Sequence, residues 1–296
     1  MRQVAVGKTS QDLIAKIHNN ECTMLVGDAL TSLKKFPHCV FKCCITSPPY
    51  WGLRDYGIQN QLGAETCLNE YIEKLVNIFG EVKRVLTDDG TLWLNLGDSY
   101  TSGNRTWRDR DSKNPARAMV YRPPTPPGLK PKDLVGVPWR VAFELQKSGW
   151  YLRSDVVWHK PNCQPESVRD RPTRSHEYLF LLTKSERYYY NQESIKEKAT
   201  SNGHKRNRRS VWSINTEAFP GAHFATFPTK LVEPCVLASS QQHDFVLDPF
   251  MGSGTVAEVC YKLNRKFVGI DVNEEYVGLA VKRVAAGNKG HAWKEA

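Results

Sequence analysis

The sequence predicts an α/β fold built on a doubly wound, mostly parallel sheet, and three observations support this prediction. First, short apolar runs of strand length alternate with longer segments whose apolar residues recur at helical spacing. Second, a glycine-rich turn, 252–254, lies between a strand-like run and a helix-like segment. Third, the motifs 46–50 and 248–255 each begin at or next to the end of an apolar run. Both motifs therefore belong at the carboxyl ends of strands, where ligands bind in open α/β sheets.

The first half of the chain shows the alternation clearly. Apolar residues recur at helical spacing over 68–86, and the pair Asp89-Gly90 marks the end of this pattern. The pair Pro48-Pro49 ends the preceding strand, because proline cannot donate a hydrogen bond to a sheet. The elements predicted here are strands 22–26, 40–45 and 91–96, and helices from 28 to 36 and over 68–86.

The second half continues the pattern around two polar stretches, 99–131 and 191–222. Both lack helical or strand periodicity, so we expect loops outside the core. The first stretch is long for a connection without regular structure, so we expect this loop to be functional or mobile. The predicted elements are helices 132–148, 230–239, 255–263 and 274–286, and strands 152–158, 177–182, 245–247 and 266–270.

The composition is typical of a single globular domain over residues 1–296. Of 296 residues, 40% are hydrophobic and 24% are charged, which suffices for one large core. The first 20 residues mix charged and apolar side chains, and no apolar run approaches the roughly 20 residues that cross a bilayer. We expect an intracellular protein without a membrane span, in the cytoplasm or nucleoid of a bacterial or phage system or in a eukaryotic nucleus. The eight cysteines show no paired CxxC spacing, which predicts reduced thiols and no metal site.

The chain is basic, with a formal net charge of +10 and a pI near 9.2, and this balance favours a polyanionic partner such as a nucleic acid. The positive charges concentrate in the two irregular stretches. Such residues contact phosphates more often than base edges. The candidate DNA-binding residues are Arg105, Arg108, Arg110, Lys205, Arg206, Arg208 and Arg209.

The second motif has the features of a cofactor loop. Gly252 and Gly254 follow a strand and precede a helix, where glycine lets the backbone approach a ligand closely. About 20 residues later a strand ends at Asp271, the position from which an acid reaches ribose hydroxyls in dinucleotide folds. The carboxylate of Asp248 at the strand tip would repel a pyrophosphate, but suits a cofactor with a cationic amino-acid part. S-adenosylmethionine fits that description.

The first motif suits chemistry on an aromatic amine, whose lone pair is delocalised into its ring. Hydrogen-bond acceptors around the amino group favour a tetrahedral nitrogen and accept the proton that it loses. Ser47 supplies a side-chain oxygen, and Pro48 supplies a carbonyl that Pro49 helps to hold in place. Tyr50 offers a ring on which an extruded base stacks, worth about 1–3 kcal/mol.

These motifs resemble those of the amino-group DNA methyltransferases, which use S-adenosylmethionine to methylate cytosine or adenine on the exocyclic nitrogen. The similarity covers Cys22 to about Arg283, and the motif order is similar to that of the circularly permuted beta group. The resemblance implies a Rossmann-like class I methyltransferase fold, with a catalytic half over 22–190 and a cofactor half over 223–286. It also implies that 99–131 is a basic loop insertion and 191–222 a target-recognition segment. The resemblance implies double-stranded DNA as the partner and leaves open a cognate restriction nuclease or a chromatin-targeting partner.

The site residues of the family carry over by position. Asp28 matches an acid that contacts the adenosine, while Thr226 and Phe227 match a segment that packs on the methionine portion. Serine at the position of Ser47 usually accompanies cytosine and aspartate usually accompanies adenine, so the resemblance favours cytosine N4. The residues that match the cofactor loop are Asp248, Pro249, Phe250, Gly252, Gly254 and Thr255.

Two alternatives stay open: adenine-N6 methylation, and a non-catalytic nucleic-acid-binding protein with the same fold. Methylation of cytosine carbon 5 needs a nucleophilic cysteine, whereas Cys235 is expected inside a helix in the core. A zinc deaminase needs an H-x-E and P-C-x-x-C pattern that the sequence lacks. The methyltransferase interpretation requires that the turns after Thr46 and Asp248 lie at neighbouring strand tips.

Overall fold

The computed structural model describes residues 4–7, 22–53, 61–102, 123–199, 204–217 and 227–287. Its strands are β1 (Val4–Gly7), β2 (Cys22–Val26), β3 (Phe41–Thr46), β4 (Leu86–Leu96), β5 (Tyr151–His159), β6 (His176–Thr183), β7 (Glu197–Lys198), β8 (Lys205–Arg206), β9 (Val211–Ser213), β10 (Phe245–Asp248) and β11 (Lys266–Asp271). Its α-helices are α1 (Ala29–Leu33), α2 (Leu68–Val85), α3 (Val137–Lys147), α4 (Thr229–Ser239), α5 (Thr255–Lys262) and α6 (Glu274–Gly287). Every helix and strand predicted from the sequence has a counterpart among them.

The main sheet confirms the predicted fold class. Its strand order is β1-β2-β11-β10-β3-β4-β6-β5-β9. Within the described residues, β6 is the one strand of this sheet that runs antiparallel to its neighbours, β4 and β5. The sheet is therefore mostly parallel, and the carboxyl ends of its parallel strands share one edge with the amino end of β6.

The centre of the sheet contains a topological switch point. β10 pairs with β3, with Val246 opposite Cys43 and Leu247 opposite Cys44. From β10 the chain passes through α5 to β11 on one side, whereas from β3 it passes through α2 to β4 on the other. The connections diverge at this pair and leave a crevice at its carboxyl ends, where ligands bind in such sheets.

Helices cover both faces of the sheet, as in a doubly wound fold. α1, α2 and α3 pack on one face, and α4, α5 and α6 pack on the other. Successive strand residues alternate between the faces, so that Cys44 belongs to the first core and Cys43 to the second. Each large apolar side chain contributes about 1.5–3 kcal/mol on burial, and α2 buries a full stripe of them: Leu68, Tyr71, Ile72, Leu75, Ile78, Phe79, Val82 and Val85.

Two element boundaries differ from the predicted ones for local reasons. α3 begins at Val137 rather than near residue 132, because its N-cap, Gly136, has a left-handed φ of 77° that is incompatible with a helix. β4 begins at Leu86 rather than at residue 91, because Leu86 already pairs with Phe41 before a register shift in the ladder. The Asp89-Gly90 turn signal therefore marks an irregularity within a strand.

The prediction that 191–222 lies outside the core was wrong in its middle. β9 pairs in parallel with β5 and forms an edge of the main sheet. Trp212 at its centre is only 4% exposed, and its ring centroid lies 6.1 Å from that of Trp93. A strand of three residues is too short to produce a periodic signal. Among the described residues, each helix is too short or too polar to traverse a lipid bilayer.

Candidate active site

A hydrogen bond joins the two motifs at the switch point. Thr46 Oγ1, at the end of β3, donates to Asp248 Oδ1, at the end of β10, over 2.6 Å, although 202 positions separate the two residues. Both side chains are buried. The expectation that the serine–proline turn and the glycine turn lie at neighbouring strand tips is therefore confirmed.

Asp248 is a buried carboxylate with an incomplete set of partners. Its side chain is 1% exposed, and Oδ1 accepts hydrogen bonds from Thr46 and from the Phe250 backbone N–H at 3.1 Å. Its Oδ2 has no hydrogen-bond partner among the described residues. Burial raises the pKa of this group to about 7. A cationic group beside Oδ2 would relieve this cost and favour the ionised form.

The glycine turn is shaped by its backbone. Gly252 and Gly254 have φ angles of 53° and 80°, a region that side chains rarely tolerate. A Cβ on Gly254 would lie 2.6 Å from the Ala280 Cβ of α6, whereas a Cβ on Gly252 would meet no described atom within 4 Å. Gly254 thus permits helix packing, while Gly252 borders open space. Thr255 is buried and its hydroxyl accepts from Arg283 Nη1 at 2.9 Å, so its contacts are internal.

Asp271 connects the glycine turn to β11. Its Oδ2 accepts from the Gly252 N–H and its Oδ1 from the Asn273 N–H, both at 2.8 Å. Burial raises the pKa of Asp271 above its ordinary value. The Asp271 carbonyl accepts from the Gly27 N–H at 2.8 Å, which brings β2 and the exposed Asp28 to the same edge. Asp28 also caps α1, because its Oδ1 accepts from the Thr31 N–H.

The remaining predicted cofactor residues divide into two groups. Pro249 is buried, and Phe250 is half-buried against the core on the α1–α3 face. Phe227 is half-buried against the core on the α4–α6 face. Thr226 lies outside the described residues, so its predicted contact with the cofactor stays a prediction.

The serine–proline turn is supported from the protein side. The Pro49 carbonyl accepts from the Tyr71 hydroxyl of α2 at 2.8 Å. Trp51 Nε1 donates to the Glu65 carbonyl at 2.9 Å, so the chain beyond the turn is anchored as well. Pro48 is buried, and Ser47 is half-buried at the tip of β3. These contacts restrict the turn to one conformation, which positions Ser47.

Tyr50 has contacts on its ring and on its hydroxyl. A Cβ on Gly97 would lie only 2.5 Å from Tyr50 Cε2, so glycine at 97 permits the ring to pack against this backbone. The Tyr50 hydroxyl donates to Glu177 Oε2 at 2.7 Å and receives a bond from Ser47 Oγ at 3.3 Å. That the ring stacks on an extruded base stays a prediction.

Three polar residues that the sequence did not mark as catalytic surround Ser47 and Tyr50. Asn95 Nδ2 lies 2.8 Å from the Tyr50 hydroxyl, 2.9 Å from Glu177 Oε2 and 3.4 Å from Ser47 Oγ. Lys160 forms a short ion pair with Glu177 Oε1. Burial raises the pKa of Glu177, but Lys160 and the hydrogen bonds from Asn95 and Tyr50 outweigh it, so the pKa lies below its ordinary value. The sequence carries no local signal for Glu177, because its position at this edge depends on the reversed direction of β6.

The segment around Asp98 has a structural role. Its Oδ1 accepts from the backbone N–H groups of Ser99, Gly136 and Val137, each at 2.9 Å. These bonds satisfy donors at the start of α3, which otherwise lack partners. The short segment 95–98 thus combines a residue beside Ser47, Asn95, with a residue that caps a helix, Asp98.

The candidate DNA-binding residues differ in their surroundings. Lys205 and Arg209 are exposed. Arg206 pairs with Glu197 at 2.9 Å, and the Arg208 guanidinium carbon lies 4.4 Å from the centroid of the Trp212 ring. The other three candidates, Arg105, Arg108 and Arg110, lie outside the described residues.

Comparisons with known proteins agree with this geometry. A family model named DNA methylase matches residues 41–282. The type II methyltransferase M.Cfr9I of Citrobacter freundii is 60% identical over 284 residues and the match covers 94% of each chain. The type II methyltransferase M.SmaI of Serratia marcescens is 62% identical over 264 residues, covering 89% of this chain and 90% of that protein.

Solved structures share the fold. The PvuII DNA methyltransferase, named cytosine-N4-specific, has a TM-score of 0.67 at 20% identity, covering 88% of this chain and 85% of that one. A DNA modification methylase of Thermus thermophilus, solved in complex with S-adenosyl-L-methionine, has a TM-score of 0.63 at 24% identity, covering 90% and 95%. With a family match over most of its length and relatives at 60% identity, this chain belongs to the N6/N4 DNA methylase family.

Proposed function

We propose that this protein is a site-specific DNA methyltransferase that transfers a methyl group from S-adenosylmethionine to the N4 amino group of cytosine in double-stranded DNA. The observation that carries the proposal is the 2.6 Å bond between Thr46 and Asp248. This bond supports the proposal because it brings the turn that contains Ser47, the proposed amine-facing residue, close to the glycine turn that is proposed to bind the cofactor. The target base has to leave the helix to reach this edge of the sheet, so the enzyme acts by base flipping.

The residues at the switch point fit S-adenosylmethionine. The buried Oδ2 of Asp248 suits its cationic amino group, and the open space beside Gly252 allows close backbone approach. Asp271 and Asp28, at the same edge, suit ribose hydroxyls and the adenosine. Phe227, with Thr226, is proposed to pack on the methionine portion, while Pro249 and Phe250 shape the loop. When bound, this cofactor supplies an electrophilic methyl group on a sulfonium sulfur.

The serine–proline turn prepares the amine. Ser47 Oγ and the Pro48 carbonyl accept hydrogen bonds from the two amino hydrogens, which shifts the nitrogen towards a tetrahedral geometry with a localised lone pair. Pro49 and the Tyr71 hydroxyl restrict the turn. In this proposal the hydrogen-bond acceptors position the amine, and no protein nucleophile attacks the base. Cys235, the cysteine considered for attack on the base in carbon-5 methylation, is 1% exposed inside α4 and is a core residue.

Cytosine is favoured over adenine by Ser47, since serine at this position resembles the cytosine-N4 members of the family. The PvuII enzyme, which shares the fold, is named cytosine-N4-specific. The relatives named type II methyltransferases support a role in restriction and modification beside a cognate nuclease. We further propose one domain in which 99–131 and 191–222 contribute the DNA-facing surface, while β9 within the second stretch belongs to the main sheet.

The product identifies the base and the activity together. Duplex DNA methylated by the purified protein should yield N4-methylcytosine on mass analysis of its nucleosides, and sequencing at single-base resolution should place it in one short motif. N6-methyladenine as the product would overturn the choice of base. Cofactor binding by calorimetry without any methyl transfer would instead indicate a non-catalytic DNA-binding protein.

The exposed cations on and after β8 predict salt-dependent DNA binding. Each phosphate contact contributes about 0.9 to the slope of log affinity against log salt concentration. The Lys205→Ala/Arg209→Ala double variant should therefore reduce the magnitude of that slope by up to about 2 in fluorescence anisotropy titrations. Lys147→Ala, at the exposed C-terminal end of α3, is the matched control. A slope equal to that of the unmodified protein would place the DNA face elsewhere.

The buried Asp248 predicts a pH-dependent affinity for the cofactor. Its pKa is about 7 without ligand, and only the ionised carboxylate pairs with an ammonium group. The dissociation constant should therefore rise as the pH falls from about 8 to about 6, and Asp248→Asn should bind weakly with little pH dependence. The ionised carboxylate has the opposite effect on stability when no cofactor is bound. Because the pKa of Asp248 is raised in the folded protein, ionisation of this buried group destabilises the fold, and the loss is complete above about pH 7. Asp248→Asn should therefore raise the melting temperature at about pH 8. Calorimetry and thermal melts test both, and a pH-independent dissociation constant would contradict the assignment.

A further inference from the structure

The polar cluster behind Ser47 converges on one acceptor. Glu177 receives hydrogen bonds from the Tyr50 hydroxyl and from Asn95 Nδ2 on Oε2, and it receives the Lys160 ammonium on Oε1. An ionised carboxylate can only accept, and an ammonium can only donate. Glu177 therefore fixes the direction of every hydrogen bond that reaches it.

The donor and the acceptor of each hydrogen bond can be assigned in turn from Glu177 outwards to Ser47. Because the Tyr50 proton is committed to Glu177, the Tyr50 oxygen acts as an acceptor towards its other neighbours. The Asn95 amide must direct its nitrogen towards Glu177 and Tyr50, because a flipped amide would place its oxygen against the Glu177 carboxylate. Asn95 Nδ2 donates to the Tyr50 oxygen at 2.8 Å, and Ser47 Oγ lies 3.3 Å from the same atom. The Ser47 proton is thus drawn towards Tyr50.

We propose that Glu177 is a positioning residue that makes Ser47 Oγ an obligatory acceptor for the amino group of the target base. With the Ser47 proton directed at Tyr50 and one lone pair of Ser47 Oγ facing Asn95 Nδ2 at 3.4 Å, the other lone pair remains for the amine. This inference rests on the proposed function, in which Ser47 contacts the amine. It adds a specific device: a carboxylate on the reversed strand β6 sets the hydrogen-bonding role of a serine on β3, and Lys160 keeps that carboxylate ionised.

The cost of the cluster supports a functional role. Only 17% of the side-chain surface of both Lys160 and Glu177 is exposed, and a largely buried ion pair is often no more stabilising than apolar residues of similar size. The buried Asn95 Oδ1 has no partner among the described residues, which is unfavourable for the fold. The Lys160 ammonium lies 4.4 Å from the centroid of the Trp158 ring, which limits its movement. An arrangement that is costly for folding and adjacent to Ser47 is best explained by its effect on Ser47.

A double-mutant cycle tests the proposal. Glu177→Gln keeps the size of the side chain but offers an N–H₂ group to donors, so the direction of the bonds is no longer fixed. The single-turnover methylation rate, at saturating cofactor and DNA, should fall about tenfold, within the range for coupled polar neighbours. The dissociation constants of cofactor and DNA should stay within about threefold of the wild type. Tyr50→Phe breaks the same connection without touching the ion pair, and the double variant should be no slower than the slower single variant.

The other outcomes overturn the proposal. An unchanged rate in Glu177→Gln, or additive losses in the double variant, would show that Glu177 does not act through Tyr50. A Glu177→Asp variant, which keeps an ionised acceptor, should methylate faster than Glu177→Gln. An Asp variant that is no faster than the Gln variant would contradict the proposal. Glu81→Gln is the matched control, because Glu81 forms a similarly screened ion pair with Arg84 on α2. If the wild-type product is N6-methyladenine, the proposed base is wrong, but the cycle still tests Glu177, since both bases present an exocyclic amine.

Discussion

Replacing Ser47 with alanine is expected to slow methyl transfer by about 10²–10³-fold, within the range for loss of a positioned acid–base group. Alanine removes an acceptor for the amino hydrogens, so the nitrogen lone pair stays delocalised in the base. The cofactor dissociation constant should change by less than about twofold, because among the described contacts the Ser47 hydroxyl bonds to Tyr50 and Asn95 and not to the cofactor loop. Single-turnover rates with labelled cofactor, together with calorimetry, measure the two quantities separately.

Ser148→Ala provides the control for this prediction. Ser148 also carries a hydroxyl bonded within the protein, to the Leu145 carbonyl at the end of α3, far along the chain from the motifs. Its rate and cofactor affinity should equal those of the wild type. A Ser47→Ala variant that loses cofactor affinity, or that methylates at the wild-type rate, would show that Ser47 does not face the amine.

The convergence of the two motifs could be predicted from the sequence for a simple reason. Apolar runs before Ser47 and before Pro249 indicated two strands, and polar residues directly after them indicated carboxyl ends. Parallel strands present all such ends at one edge of the sheet, and the expectation that these two strands are neighbours came from treating the two motifs as parts of one site. The Thr46–Asp248 bond confirms this geometry.

The contribution of Glu177 could not be predicted in the same way. The rule for carboxyl ends applies to parallel strands, whereas β6 runs antiparallel to β4 and β5 and brings its amino end to the active edge. Nothing in the alternating pattern of the sequence reveals that reversal. Trp212 was missed for a different reason: β9 is three residues long, and its position depends on pairing with β5. Both features are long-range pairings that local periodicity does not encode.

The reversed strand also explains how the site combines two kinds of residue. The parallel strands β3 and β10 supply the two turns that are proposed to contact ligands, and these strands are neighbours at the switch point. β6 supplies the acid that organises the serine turn from behind. A substitution on β6 should therefore alter rate rather than affinity, whereas a substitution on β11 should alter affinity first.

Asp271→Ala should show this second pattern, with a cofactor dissociation constant raised by about 10–100-fold, since hydrogen bonds to charged groups are worth about 1.5–3 kcal/mol. The change removes the proposed acceptor for the ribose and also the acceptor of the Gly252 N–H, which sets the shape of the glycine turn. At saturating cofactor the single-turnover rate should approach that of the wild type, because Ser47 and its partners are untouched. Asp170→Ala, which removes an exposed carboxylate paired with Lys132, should leave both quantities unchanged.

Together, Ser47→Ala and Asp271→Ala separate the functions of the two turns. Ser47→Ala should lower the rate with cofactor affinity preserved, and Asp271→Ala should lower cofactor affinity with the rate preserved. A slow Asp271→Ala enzyme with normal cofactor affinity would place the cofactor away from β11, and the proposed use of the switch point would then be wrong.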